Sequence, residues 1–298
     1  MKVLYATDGF PAAIAAGHAI SSLFRRDVVS ITAISVTHEG SLDPGHIVLE
    51  LDPVEGRRED SLELASSAAD RFRAEGFDAE SKVLEGHPGR ELLRETTEGP
   101  YDLVVVGSES HSWVGNHLLG SVSTLLLHEA PCSILVVHEF DEDADGRRAV
   151  LAVDGSDAAE RTVSMLSGLL DPTRVEVEVI SVVGVHLPTV APVLTGAPFP
   201  TSETFVRMDV EVRTRAESCV ELAKRTLQDA GFAVSTRVEQ GGATTVILDE
   251  AKQVKADLVA VGTRGLGPIR RALLGSVSDQ VARHARAAFI GRVGKEMR

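Results

Sequence analysis

Two stretches of this chain are near copies of each other. YDLVVVG at 101–107 returns as ADLVAVG at 256–262, and GSVS at 120–123 returns as GSVS at 275–278. Each stretch reads as a buried strand, a loop opening on glycine, and a helix start. A chain carrying that sequence of signals twice, 155 positions apart from Gly107 to Gly262, is built from two copies of one α/β unit.

The rest of the chain lines up the same way. KVLYATDGF near the start matches AVLAVDGSD at 149–157, an apolar strand ending in Asp-Gly. A helix follows, with Ala13, Ala16, Ile20 and Leu23 three or four apart, then a strand, VVSITAISV against VEVEVISVV. A longer helix comes next. Its expected apolar stripe is Leu62, Ala65, Ala69 and Phe72 in the first copy and Ala216, Val220, Ala223 and Leu227 in the second. Gly76 and Gly231 stand where these helices should stop. The strands FDAESKVLEG and FAVSTRVEQG follow, and Pro88 suits the first turn of the next helix. SILVVHE and AAFIGRV are the last strands of each copy. Near-continuous Val, Ile and Leu in most strands, alternating with helices, predicts a parallel sheet covered on both faces. The expected domains are 1–140 and 147–298, joined by the short charged linker FDEDADGRR at 140–148. The offset is 146 at Asp8 and Asp154 but 155 at the glycine loops, so the second copy has gained nine residues in between. The Pro- and Gly-containing stretch at 186–203 is the expected place, a long loop that serves either as a lid or contact arm or as a tolerated surface insertion.

Charge and composition narrow the partners. A net charge of −14 argues against nucleic acid, whose phosphates need a basic footprint. Only six of the 30 basic residues are lysine, a bias that a salt-rich cytoplasm and a GC-rich genome both produce. Cys132 and Cys219 form neither a zinc spacing nor a CxxC pair and read as small apolar fillers. No apolar run is long enough to span a membrane. The N-terminal MKVLYATDGF enters a strand pattern at once, without the features of a signal peptide, so a cytoplasmic location is expected.

In open α/β sheets ligands bind beyond the carboxyl ends of the strands. Asp8 and Asp154 end the first strands there, and the glycine loops follow the fourth strands. A helix starting near Gly275 turns unpaired backbone N–H groups and its positive dipole end toward that crevice, which favours an anion. Gly265 permits positive φ and close backbone approach, Ser276 and Ser278 add hydroxyls, and Asp154 can accept from a ribose or an adenine edge. No GxxxxGK[ST] occurs and no GxGxxG follows the first strand, so neither a P-loop nor a dinucleotide fingerprint is present.

Gly262, two residues, Gly265, nine residues, then Gly275-Ser276 resembles the signature of the nucleotide-binding universal stress proteins. AVDGS at 152–156 and EAPCSILVV at 129–137 resemble the family's first-strand and last-strand segments, so the likeness covers nearly the whole chain as two tandem domains. The resemblance implies an α/β fold of two Rossmann-like (adenine nucleotide alpha hydrolase-like) domains, each a five-stranded parallel sheet with helices on both faces. It implies ATP, or AMP or ADP, with Mg2+ accompanying the nucleotide and no separate metal site. By the same resemblance Val153 and Asp154 face the adenosine, Val182 meets the adenine, Gly262 lies by the ribose, and Gly265, Gly275, Ser276, Val277 and Ser278 hold phosphates. It also implies pairing of the two halves through their last strands, an intramolecular pseudo-dimer, and leaves open a homodimer.

The first copy offers a second nucleotide site at Thr7, Asp8, Val36, Gly107, Ser110, Gly120, Ser121, Val122 and Ser123, but it departs from the pattern. Ser110 replaces Gly265, which costs roughly 1–2 kcal/mol if left-handed backbone is needed. Arg264, Arg270 and Arg271 correspond to Glu109, Gly115 and Asn116, so a triphosphate meets cations in one copy and a carboxylate in the other. His111, Trp113 and His117 in the first loop read as a pH-sensitive anion contact, a metal site or plain surface residues. Tighter ATP binding is expected in the second half. The expected role is an ATP-binding stress-response or regulatory module. A slow ATPase or phosphotransferase and a structural member that binds no nucleotide are the alternatives. No catalytic residue is assigned.

Overall fold

The computed structural model describes residues 1–37, 54–108, 119–144, 146–184, 202–263 and 274–292. In the first half the elements are β1 (Lys2–Ala6), α1 (Pro11–Leu23), β2 (Ser30–Thr37), α2 (Val54–Ala74), β3 (Asp78–Glu85), α3 (Pro88–Glu98), β4 (Leu103–Gly107), α4 (Ser121–Glu129) and β5 (Ser133–Val137). The second half repeats them as β6 (Arg147–Ala152), α5 (Asp157–Leu169), β7 (Val175–Val183), α6 (Ser202–Asp229), β8 (Val234–Gln240), α7 (Ala243–Gln253), β9 (Leu258–Gly262), α8 (Ser276–His284) and β10 (Ala287–Gly291).

The strands form one ten-stranded sheet in the order β3-β2-β1-β4-β5-β10-β9-β6-β7-β8. Each half is parallel throughout, and the halves meet where β10 runs antiparallel to β5, Ala287 opposite Val137 and Ile290 opposite Ile134. The four central strands are almost wholly buried, as their unbroken Val, Ile, Leu and Ala content requires. The outermost strands are DAESKVLE and VSTRVEQ, polar and partly exposed. Charged side chains on β3 and β8 guard these edges against pairing with another sheet.

Helices α1, α2, α5 and α6 pack on one face through Ile20, Phe72, Leu166 and Leu227. Helices α3, α4, α7 and α8 pack on the other through Leu92, Leu126, Ile247 and Val281. Pro11 and Pro88 each stand in the first turn of a helix, where the missing N–H leaves no bond unmade. Gly76 and Gly231 follow α2 and α6 with φ of 94° and 95°, and the residue after each glycine donates back into the last turn.

Strand register confirms the two offsets. Val3 pairs with Ile31 as Ala149 pairs with Val177, an offset of 146, whereas Ile31 pairs with Ala79 as Val177 pairs with Val234, where the β3-to-β8 offset is 155. The expected place of the nine extra residues, 186–203, lies outside the described residues except for its last two. Helix α6 is described over 28 residues and α2 over 21, and both end at equivalent positions. One expected core position fails. Leu62 is 53% exposed, while Ala65, Ala69 and Phe72 are fully buried. The stripe reaches the sheet only from Ala65 onward.

Arg147 ties the linker down. Its guanidinium pairs with Asp257 at 3.3 Å, donates to the carbonyls of Asp141 and Glu142, and lies 4.7 Å from the Phe140 ring centroid. The pair is almost fully buried, and Asp257 also accepts the backbone N–H of Arg148 at 2.9 Å.

Candidate functional site

The parallel register sets the tip of the first strand beside the tip of the fourth. Ala6 lies opposite Val106, and Ala152 opposite Val261. Beyond β6 the chain runs through Val153, whose N–H donates to Ile180 at 2.9 Å. Asp154 follows, exposed, with a carboxylate oxygen accepting from Ser156 N–H at 3.0 Å. Gly155 takes a φ of 74°. Ser156 then caps α5, accepting from Ala159 N–H at 3.3 Å. The first half repeats the turn: Asp8 accepts from Phe10 N–H at 3.1 Å, and Gly9 has a φ of 78°.

The glycines divide into two kinds. A Cβ on Gly262 would stand 2.8 Å from the backbone of Ala158 and Ala159, and one on Gly107 would collide with Ala12 and Ala13. Those two glycines let the first turn of α5 or α1 close onto the strand end, so packing alone accounts for them. Gly120 and Gly275 are different. Each caps a helix with ordinary φ, −62° and −66°, and makes no side-chain cap bond. A Cβ there would meet only a serine hydroxyl at 3.6 Å, an ordinary contact. Nothing in the described fold requires glycine at these two positions.

After Gly275 the crevice is lined by the start of α8. Ser276 is exposed, Val277 is half-buried, and Ser278 is buried. Ser278 donates to the Gly262 carbonyl at 3.0 Å, so its hydroxyl ties α8 to β9 and its backbone N–H is what it can offer an anion. The expected role of Ser278 is that of a hydroxyl donor to phosphate; here that hydroxyl donates to Gly262. The Val153 side chain is 6% exposed and packs in the core at the end of β6. Val182 lies near the carboxyl end of β7, half-buried, two residues beyond the Ile180 that holds Val153.

In the first half Thr7, Asp8, Gly107, Gly120, Ser121, Val122 and Ser123 occupy the same places, with Val36 near the end of β2. Ser108, which the sequence reading passed over, reshapes the mouth. Its hydroxyl accepts from Gly120 N–H at 3.2 Å and lies 3.0 Å from the Ser123 hydroxyl. Thr263 holds the equivalent position, and its hydroxyl turns away to the Gly291 carbonyl at 3.1 Å. A hydroxyl residue directly after the strand-ending glycine in both copies was the available signal. Ser110, Arg264 and Gly265 lie outside the described residues, as do Glu109, His111, Trp113, Gly115, Asn116, His117, Arg270 and Arg271.

A cleft of about 310 Å³ opens between α5 and α6, floored by Val153, Ala159 and Val163, with Cys219, Arg215 and Glu160 toward its rim. The corresponding space in the first half is filled. Arg71 reaches Gly17 there, and Tyr5 donates to the Ala13 carbonyl at 2.7 Å. Burial pushes the Tyr5 hydroxyl above its usual range.

Two tandem doubly wound α/β units, each with a crevice at its strand tips and a bare glycine capping the helix beyond, define the class. The sequence model of the universal stress protein family matches residues 1–138 and 146–289. The chain belongs to the universal stress protein family. It is 35% identical over 186 residues to a universal stress protein of Mycolicibacterium smegmatis, a match covering 61% of this chain and 58% of that protein's length. It is 26% identical over 135 residues to universal stress protein YxiE of Bacillus subtilis, covering 45% of this chain and 90% of YxiE. The crystal structure of a universal stress protein from Archaeoglobus fulgidus superposes with a TM-score of 0.65 over 98% of each chain, at 21% identity. That likeness, below a quarter identity, speaks for the fold. Among the described residues no helix is long and apolar enough to cross a membrane.

Proposed function

We propose that this chain binds an adenine nucleotide, ATP foremost, in the crevice between β6, β9 and α8, and acts as a regulatory or stress-response module in the cytoplasm. The observation that carries the reading is Gly275. A cap without a side chain is about as stable as Ser or Asp only to within a few tenths of a kcal/mol, so it is no gain for the helix. It does leave the first N–H groups of α8 accessible to a phosphate. Exposed Ser276 adds a hydroxyl, and the N–H groups of Val277 and Ser278 complete the anion-facing turn. Asp154 stands at the neighbouring strand tip, suited to the ribose and to a Mg2+ carried in by the phosphates. Gly262 and Val182 border the nucleoside, and Arg264 and Gly265 complete the loop in this proposal.

The first-half site is the weaker one, because Ser108 already accepts the Gly120 N–H that an anion would compete for. Phosphoryl transfer needs a positioned base and charge neutralisation. Asp154, the Ser276 hydroxyl and backbone N–H groups form a binding set, and turnover is expected to be slow or absent. The β5–β10 pairing supports reading the chain as an intramolecular pseudo-dimer. Mass spectrometry of small molecules released from gently purified protein tests the proposal. Recovery of an adenine nucleotide near one per chain is expected. A protein that carries none and takes up none on addition of Mg-ATP would overturn it.

A further inference from the structure

The junction between the halves holds a crossed pair of contacts. Arg292 follows β10 and reaches back to the first half, where its guanidinium donates to the carbonyl of Ala130 at 2.6 Å and to that of Leu127. Those carbonyls end α4, the helix whose start lies at the first crevice. His138 follows β5 and does the reciprocal thing. Its Nε2 lies 2.8 Å from the carbonyl of Ala282, in the last turn of α8, whose start lies at the second crevice. Ala282 is the equivalent of Leu127. Each half therefore sends a side chain from its last strand to the C-terminal end of the other half's crevice helix. One of the two residues is an arginine and the other a histidine.

The second nitrogen of His138 decides its state. Nδ1 lies 3.1 Å from the carbonyl of Ser108. Carbonyl oxygens only accept, and a neutral imidazole carries one N–H. The neutral ring can satisfy one of these contacts and sets a lone pair against the other oxygen. Only the doubly protonated ring donates to both. The end of a helix favours a cation as well, and Arg292 already supplies one at the matching place.

We propose that His138 works as an imidazolium, a titratable counterpart of Arg292, so that the clasp between the halves is permanent at α4 and pH-dependent at α8. Among the described residues, the charged and titratable side chains on the segments it touches are Glu139 beside it, Arg286 before β10, and Asp279, Arg283 and His284 on α8. Asp279 and Arg283 pair with each other at 2.9 and 3.0 Å, and the Arg286 carbonyl accepts the His138 backbone N–H at 2.8 Å. Helix α1 packs against β5 and carries His18, 2.9 Å from Glu142. The sign follows from the donor requirement. The stabilisation is complete while the ring is protonated and is lost as pH rises through its titration in the folded chain. The inference does not depend on nucleotide binding, and its test uses the full chain without nucleotide.

Long-range 1H–15N spectra of the histidine rings, assigned with H138Q, are expected to show both His138 nitrogens protonated at pH 6. Urea unfolding from pH 5.5 to 8.5 is then compared for the wild chain and H138R. H138R is expected to keep its low-pH stability into the alkaline range, with the wild chain falling behind by about tenfold in its unfolding constant. R292H is expected to add a second pH-dependent step. A neutral single tautomer of His138 at pH 6, or a difference between H138R and the wild chain that stays constant with pH, would overturn the proposal. If H138R fails to fold, the ring spectra of the wild chain decide alone.

Discussion

Beside the first strand of the first half, Tyr5, Leu64 and Arg71 fill the space between α1 and α2, to the point where Arg71 and Tyr5 both press on Gly17. At the equivalent positions of the second half stand Leu151, Cys219 and Thr226, and a cleft of about 310 Å³ remains between α5 and α6. The mouths of the two crevices differ in the same sense. Ser108 spans the first by engaging Gly120 and Ser123, whereas Thr263 folds away from the second. The backbone has been duplicated faithfully, down to strand register and helix ends. Side-chain volume between the paired helices and hydrogen bonding at the strand tips then differ from copy to copy.

The largest effect expected from breaking this comparison falls on what the halves share. G107A and G262A each drive a Cβ into the first turn of the neighbouring helix, and each should cost about 1–3 kcal/mol in urea unfolding. An unchanged midpoint would mean that the strand tips and helix starts are less tightly closed than drawn here.

The helix-capping glycines should behave in the opposite way. G275A should cost at most about 1 kcal/mol in stability, the preference of an N-cap for Gly over Ala, yet weaken ATP binding about tenfold, ~1.4 kcal/mol. G120A should cost about the same in stability and do little to binding. Equal losses of binding from both substitutions would make the two crevices equivalent and dissolve the asymmetry.

Thiol labelling sharpens the contrast on a smaller scale. Burial pushes the Cys132 thiol up to about 11, and Cys219 is also raised but stands half-exposed at the cleft. Iodoacetamide at pH 8 should modify Cys219 about tenfold faster than Cys132 in the folded chain, because access and thiolate fraction both favour it. Equal rates, read by peptide mass spectrometry, would contradict the burial of Cys132.

The smallest effect concerns a charge pair found in one half. Arg25 donates to Asp27 at 3.1 and 2.7 Å and holds the Asp27 carboxyl below its usual range. The second half has Asp171 and Thr173 at these places. Stability from a lowered carboxylate is present above its unfolded value and lost as pH falls through the folded one. The deficit of D27N should therefore be largest near neutral pH and vanish in acid. A deficit that persists in acid would point to a steric cause.

Much of this was legible in the chain itself. The two offsets of 146 and 155 emerge again as strand register, because parallel pairing copies sequence spacing directly. The strand tips carrying Asp8 and Asp154 follow from strand order alone. Other features depend on contacts that local pattern does not encode. Helical spacing put Leu62 on the apolar stripe, but whether a turn of helix reaches the sheet is a tertiary matter. Ser278 has the residue type of a ligand donor, and only the approach of α8 to β9 shows where its proton goes. Gly262 and Gly275 look alike as letters, and the backbone opposite each one separates them. His138 and Ala282 are 144 residues apart, and their meeting depends on how the two halves join.

The most direct test of the asymmetry is a calorimetric titration of Mg-ATP into the wild chain, G120A and G275A. The account predicts close to one strong site per chain, kept by G120A and weakened about tenfold by G275A. Two equal sites, or binding indifferent to G275A, would contradict it.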